Sequence, residues 1–344
     1  MPNERSMPCV IAPSTVIRYH KFGPPAAVLS VEACERPVPK AGEVVVRMIA
    51  CPINPSDLIP IYGAYAHRIR LPAVPGYEGV GIVSDIGPGV CAAWLGKRVL
   101  PLRGEGTWQT FVCAPVQWIV EIPADIDDEA ACQLYINPIT AWVICKEILH
   151  IGRGDVVAIN AAGSSIGRIF AQLSRFFGFH MIAITENRRH TDDLYAHGAL
   201  QVIAVPSGRS AAEAVLQATG GRTITVAIDS VGGQDGASLI RSVRPGGTFV
   251  SIGSLAGKQV NWGRLCHEAG VKAKLFLLRH WIADVSVDTW HSTFKEVMRL
   301  LQTDRLKLPR AGTCFGLNEV KAAVIAAEAR GRSGKIILTG SRGD

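Results

Sequence analysis

The nine cysteines of this 344-residue chain include no Cys-x-x-Cys pair. That excludes the usual spacing of a structural zinc site and argues against a disulfide framework, leaving a reducing compartment as the expectation. No apolar run approaches the roughly 20 residues of a membrane-spanning helix, so no membrane association is expected. The first residues, Met1 to Pro13, contain neither a signal-peptide core nor an Arg-rich amphipathic pattern. A cytoplasmic location follows as the expectation. The formal charge of +7 comes without a long Lys/Arg run, so no nucleic acid partner is expected, only mild attraction to anions. None of the nine histidines falls in a His-Glu-x-x-His pattern. Internal repeats and low-complexity segments are missing too. Ser164 and Ser165 are not read as a nucleophile elbow.

What remains is an ordinary globular composition, 48% hydrophobic and 19% charged, long enough for two domains. Up to about residue 135, short β-prone runs alternate with Pro- and Gly-rich turns, as at Val44 to Ile49, Gly79 to Val83 and Lys97 to Leu100. Beyond Asn137-Pro138 the pattern changes. A helix carrying Trp142, Val143, Cys145 and Ile148 leads into six strand-like runs that alternate with helical ones. They are Val156 to Ile159, Met181 to Ile184, Gln201 to Val205, Thr223 to Ile228, Thr248 to Ile252 and Lys274 to Leu278. Gly232-Gly233 and Pro245-Gly246-Gly247 read as connections. A helix at Thr289 to Gln302, another at Asn318 to Ala329 and a strand at Lys335 to Leu338 finish the chain. The fold class is α/β: a β-rich domain (1–135 and 308–344) into which a doubly wound, six-stranded parallel sheet (136–307) is inserted. The default ligand site is the cleft between them.

The first of the six runs ends in Ala161-Ala162-Gly163-Ser164-Ser165-Ile166-Gly167, and a helical pattern begins at once, with Gly178 as its stop. Strand, small-residue turn and helix form a dinucleotide-binding unit, in which a pyrophosphate approaches the helix N-terminus. Ala162, Ser164 and Gly167 hold the places where three glycines are usual. A tightly packed strand-to-helix turn would need the same small residues, so the segments around it decide. The ribose of such a cofactor is read after the second strand. There Glu186 could accept from the 2′-hydroxyl of NAD, while Arg188, Arg189 and His190 could pair with the 2′-phosphate of NADP.

Upstream, Asn54-Pro55-Ser56-Asp57, Gly63-Ala64-Tyr65, Leu71-Pro72-Ala73-Val74, Glu78-Gly79-Val80, Gly106-Thr107-Trp108-Gln109-Thr110, Asn137-Pro138-Ile139-Thr140-Ala141 and Asn160-Ala161-Ala162 carry a resemblance. The chain resembles the medium-chain dehydrogenase/reductase superfamily, in which a GroES-like β-rich domain surrounds a Rossmann domain. Within it the chain is similar to the zinc-independent, NADPH-dependent 2-enoyl thioester reductases, with quinone oxidoreductases next. Asn54 and Tyr77 stand where zinc-dependent members carry a cysteine and a histidine, so no metal is expected.

The resemblance implies reduction of the C=C bond of an enoyl thioester on coenzyme A or an acyl-carrier protein, within fatty acid metabolism. Hydride adds to the β-carbon, and Tyr65, with Asn54, assists at the enolate without a metal. It implies NADPH contacts at Thr140, Ala162, Gly163, Ser164, Ser165, Ile166, Gly167, Glu186, Arg188, Arg189, Gly253, Ser254, Leu255, Phe276, Leu278 and Lys335. A substrate pocket is implied at Trp108, Trp281 and Tyr77, and a homodimer by edge pairing near Lys274 to Leu278. Two readings compete: a quinone or enone reductase acting on a free small molecule, and a non-catalytic NADPH-binding protein. The chain departs from the enoyl family in two places. Thr185-Glu186-Asn187-Arg188 replaces an Arg-Asp-Arg pattern, and Tyr77 replaces a smaller residue.

Overall fold

A computed structural model describes residues 14–104, 106–206, 209–220, 224–253, 260–332 and 334–340. The chain divides into two compact units, one of residues 1–133 and 309–344, the other of residues 134–308.

In the first unit, β1 (Ser14–Tyr19) and β2 (Leu29–Cys34) pair antiparallel. The larger sheet starts from β3 (Glu43–Pro52), β4 (Val80–Ile86), β5 (Arg98–Leu100), β6 (Phe111–Pro115) and β7 (Val120–Glu121). The second unit contributes β8 (Val156–Ile159), β9 (His180–Thr185), β10 (Gln201–Ala204), β11 (Ile224–Asp229), β12 (Val243–Ser251) and β13 (Lys272–Leu275). The chain then returns to the first unit with β14 (Ala311–Gly316) and β15 (Lys335–Thr339).

β3 is the centre of the first sheet. It is long enough to pair with β4, β6 and β15 at once. Its alternating Val44, Val46 and Met48 face a buried cluster with Ile17, Val83, Trp108, Val112 and Leu338. β15 therefore brings the C-terminal segment onto a strand encoded nearly 300 residues earlier. The apolar face of the Val320–Glu328 helix (Val320, Ala323, Val324 and Ala327) packs into the same cluster.

The second sheet has the order β10-β9-β8-β11-β12-β13, and every pair in it is parallel. The reversal between β8 and β11 is the switch point of a doubly wound sheet. Central strands buried on both faces read as continuous apolar runs, such as Met181 to Ile184. Two elements differ from the sequence expectation. β12 begins at Val243 and passes through Pro245-Gly246-Gly247, with a register shift against β11 that absorbs the proline and the positive φ of Gly246. β13 ends at Leu275. Leu278 instead opens the helix Leu278–Asp284, whose Trp281 stacks on Trp290 with ring centroids 5.9 Å apart. Trp290 in turn contacts Phe294 and Tyr135. Packing of Trp281, rather than local strand propensity, decides where this strand stops. β13 is left at the sheet's edge with Leu275 64% exposed. No helix among the described residues is long and apolar enough to cross a membrane.

Phe249, fully buried in β12, lies 5.0 Å from the Trp262 ring. Truncating such a side chain removes its transfer energy and leaves a cavity, so Phe249→Ala should lower the unfolding free energy by about 3–5 kcal/mol in urea titrations.

Candidate active site and cofactor-binding turn

In the first unit, the sequence Asn54-Pro55-Ser56-Asp57 starts the helix Pro55–Ile61. Pro55 sits at N1, where its missing N–H costs nothing. Asp57 reaches back to accept from the Asn54 N–H at 2.7 Å, and its other oxygen accepts from the Tyr77 N–H at 3.0 Å. Asn54 donates Nδ2–H to Glu78 Oε1 at 2.7 Å and accepts from Lys335 Nζ. Asn54 and Lys335 are each 2% exposed, and Asp57 and Glu78 are buried as well. Four buried polar side chains thus join the end of β3, the entry to β4 and the start of β15.

Burial drives the ionisation here. It pushes the Asp57 carboxyl up to about 7, and the nearby Glu78 charge pushes the same way, while the Asn54 N–H bond and Lys335 oppose it. Burial lowers the Lys335 ammonium, against the pull of Glu78 and Asp57. The neighbouring Cys51 thiol is pushed up to about 12, again mainly by burial, and donates to the Thr107 carbonyl at 3.2 Å. Cys51 is therefore a neutral thiol. With an ammonium beside the two carboxylates and an amide in the ligand position, this cluster does not suit a divalent cation. Among the described residues no group of three or more His, Cys, Asp or Glu could hold one.

The Pro55–Ile61 helix ends at Tyr62, and Gly63, at φ +95°, turns the chain towards Tyr65. The half-buried Tyr65 ring carries the Arg68 guanidinium at 4.0 Å from its centroid. Tyr77 is 48% exposed, yet crowding around its phenol dominates a rise to about 12, followed by the charge of Asp57. Tyr65 and Arg68 are also close enough to act on that phenol. Two phenols and one guanidinium thus gather at the surface above the buried cluster.

Three expected contact residues have buried surroundings in the structure. Asn54, expected to be catalytic, has both ends of its amide bound inside the protein. Lys335, expected near cofactor phosphates, is enclosed by carboxylates that compensate its charge. Trp108, expected as a pocket wall, is fully buried in the core behind Gly76. Asp57 was not among the candidates. Its sequence signals are its place in the Asn54-Pro55-Ser56-Asp57 motif and its position three residues after Asn54, the spacing of a capping box.

In the second unit, β8 delivers Asn160 to the carboxyl edge of the sheet. Asn160 donates to Asp229 at the end of β11 at 2.5 Å and accepts from the Ser230 N–H at 2.8 Å, bracing the two strands at the switch point. Ala161 adopts φ +48°, and the Ala162 N–H donates to the Ile184 carbonyl at 3.0 Å. Ser164 caps the helix Ser165–Phe177 by accepting from the Gly167 N–H at 3.3 Å. A Cβ on Gly167 would fall 2.3 Å from the Ala162 carbonyl oxygen, so glycine is required there. Ala162 and Gly167 are buried beneath the turn, while Gly163, Ser165 and Ile166 are half-buried and Ser164 is exposed. Small residues, a capped helix N-terminus and a parallel-sheet edge fit a pyrophosphate.

Glu186, Arg188 and Arg189 are exposed beyond β9. Glu186 and Arg188 line an 810 Å³ groove with Thr191, Tyr195 and Val202. Gly253 follows β12; Ser254 and Leu255 lie outside the described residues. Thr140 is buried in the helix Ile136–Val143. Phe276 is buried and Leu278 half-buried, while Trp281 donates its indole N–H to Glu147 at 2.8 Å.

Residues 40–124 match the family model of the alcohol dehydrogenase GroES-like domain, and residues 197–338 match that of the zinc-binding dehydrogenases. The mitochondrial enoyl-[acyl-carrier-protein] reductase of Mus musculus is 32% identical over 304 residues, 85% of this chain and 79% of that protein. The Homo sapiens protein of the same name is 30% identical over 332 residues, covering 93% and 87%. Among solved structures, a Bacillus thuringiensis protein described provisionally as an NADPH:quinone reductase is 48% identical. It matches with a TM-score of 0.92 over 95% of this chain and 99% of its own. An Escherichia coli quinone oxidoreductase solved with NADPH shares the fold, with a TM-score of 0.87 at 24% identity over 94% and 99%.

The Asp57 behaviour sets a sign. Folded Asp57 keeps its proton to about pH 7, whereas an unfolded aspartate loses it near pH 4. Between those values the folded state binds more protons, so this group makes stability fall as pH rises. Asp57→Asn cannot titrate. The difference in unfolding free energy between wild type and variant should therefore shift between pH 4 and 7, by about 1–3 kcal/mol, and stay constant above pH 8.

Proposed function

Because the chain belongs to the medium-chain dehydrogenase/reductase superfamily, we propose that it is an NADPH-dependent reductase of the C=C bond of a 2-enoyl thioester. The observation that carries this reading is the 30–32% identity to enoyl-[acyl-carrier-protein] reductases across most of both chains. The second unit supplies the dinucleotide turn. Arg188 and Arg189, with no ion-pair partner among the described residues, supply positive charge for a 2′-phosphate.

NADPH supplies a hydride for the β-carbon of the acyl group. The protein's own task is to manage the negative charge that then appears on the thioester carbonyl and α-carbon. Tyr65 is the residue for it. Its phenol donates a hydrogen bond to the developing enolate oxygen or delivers the proton to the α-carbon. The Arg68 guanidinium over the Tyr65 ring adds a positive charge to the same surface. Asp57 holds the Tyr77 backbone from the helix that leads to Tyr65, so one buried carboxylate sets the placement of both phenols. The proposed acyl carrier is coenzyme A or an acyl-carrier protein, and the proposed assembly is a homodimer formed through the exposed edge of β13.

A second reading, reduction of a free quinone or enone, draws on the 48% identity to the Bacillus thuringiensis protein. The two readings separate in one assay. Oxidation of NADPH with a crotonyl thioester should exceed that with simple quinones, and Tyr65→Phe should lower kcat on the thioester by about 100-fold. Turnover of quinones without turnover of any thioester would select the second reading.

A further inference from the structure

Three side chains from three elements meet behind the dinucleotide turn. Arg168, in the first turn of the helix Ser165–Phe177, places Nη2 3.0 Å from His190 Nδ1. Its Nε lies 2.7 Å from Asp193 Oδ2, an ion-pair contact that is off the line of the N–H bond. The other Asp193 oxygen is 3.2 Å from His197 Nδ1. The His190 ring occupies the space over Gly163, where a Cβ would come within 2.5 Å of His190 Cδ2. The residue after the second strand is thereby packed directly onto the turn.

The contact between Arg168 and His190 is chemically one-directional. A guanidinium has donors and no acceptor, so Nδ1 must be the bare, accepting nitrogen. The ring proton then resides on Nε2, and the second nitrogen of the neutral ring is a donor. The groups facing the ring keep it neutral. Burial lowers its basicity first, the Arg168 and Arg189 charges act in the same direction, and Asp193 alone opposes them. Arg188 and Arg189 beside it carry the positive charge for an anion. His190 adds a directed N–H beside them.

We propose that Arg168 is a positioning residue that holds His190 as the Nε2–H tautomer, so that His190 acts as a neutral donor to the phosphate-bearing ribose of the cofactor and helps select NADPH over NADH. This rests on the NADPH reading above. Arg168 belongs to no glycine pattern and acts through the ring it orients.

The test is direct binding, followed by cofactor fluorescence on the full chain, with no acyl substrate present. Dissociation constants for NADPH and NADH are measured from pH 6 to 8. For wild type, the ratio between the two nucleotides should change over that range only as the 2′-phosphate itself titrates, near about pH 6. Arg168→Met should weaken NADPH about tenfold at pH 8, the cost of one charge-assisted hydrogen bond. Part of that loss should return at pH 6 as the released imidazole takes up a proton, with NADH changed by less than about twofold throughout. Adding His190→Gln to Arg168→Met should remove the recovery at pH 6 and leave only the pH dependence of the 2′-phosphate. Should Arg168→Met not fold, His190→Ala carries the test, with about tenfold weaker NADPH binding at every pH. Equal losses for both nucleotides in a folded variant would reduce Arg168 to a structural brace and overturn the proposal, as would wild-type NADPH binding in either variant. Wild type that binds neither nucleotide would overturn the cofactor reading, and this proposal with it.

Discussion

The first unit depends on keeping charge buried without leaving it alone. A carboxylate or ammonium removed from water is unfavourable unless partners replace the lost hydration. Asp57, Glu78 and Lys335 are each nearly inaccessible, and Asn54 bonds to both Glu78 and Lys335. Removing one member would strand the others. The start of the Pro55–Ile61 helix, the entry to β4 and the first residue of β15 must therefore arrive together, and the surface carrying Tyr65 and Tyr77 inherits its geometry from that requirement.

The second unit solves a different problem, a tight strand-to-helix turn, and it does so with few glycines. Ala162 is small enough to lie under the turn, Ser164 satisfies an N–H that a glycine would leave open, and only Gly167 is confined by backbone on its far side. The brace between Asn160 and Asp229 holds the two strands that flank the switch point. The turn therefore owes its shape to neighbours on β8, β9 and β11 as much as to its own composition.

Much of the fold is legible in the sequence because long-range order there follows short-range pattern. The six parallel strands are apolar runs bounded by turn residues, and the Ser165–Phe177 helix has its cap, periodicity and stop in view. Strand ends are less legible. Nothing near Leu275 announces that β13 stops there, because the cause is Trp281 stacking on Trp290. The candidate site divides in the same way. Tyr65 stands out by the resemblance of its Gly-Ala-Tyr segment to the enoyl reductases, whereas the Arg168 contact with His190 depends on how helix and sheet pack, which no local pattern encodes. Trp108 illustrates the converse: a motif marks the residue, but burial assigns its role.

β15 has a consequence for the order of assembly. Lys335 meets Asn54 across 281 residues, and loop closure on that scale must precede any gain from the contact. On a ribosome, the segment through Glu78 emerges long before its counter-ion, and all of residues 134–308 is made in between. Until the last strand docks, Asp57 and Glu78 are better left in water than buried. The N-terminal segment gains its buried partner for these carboxyl groups only when β15 docks on β3, while the parallel sheet encoded in the interval has no need of that contact.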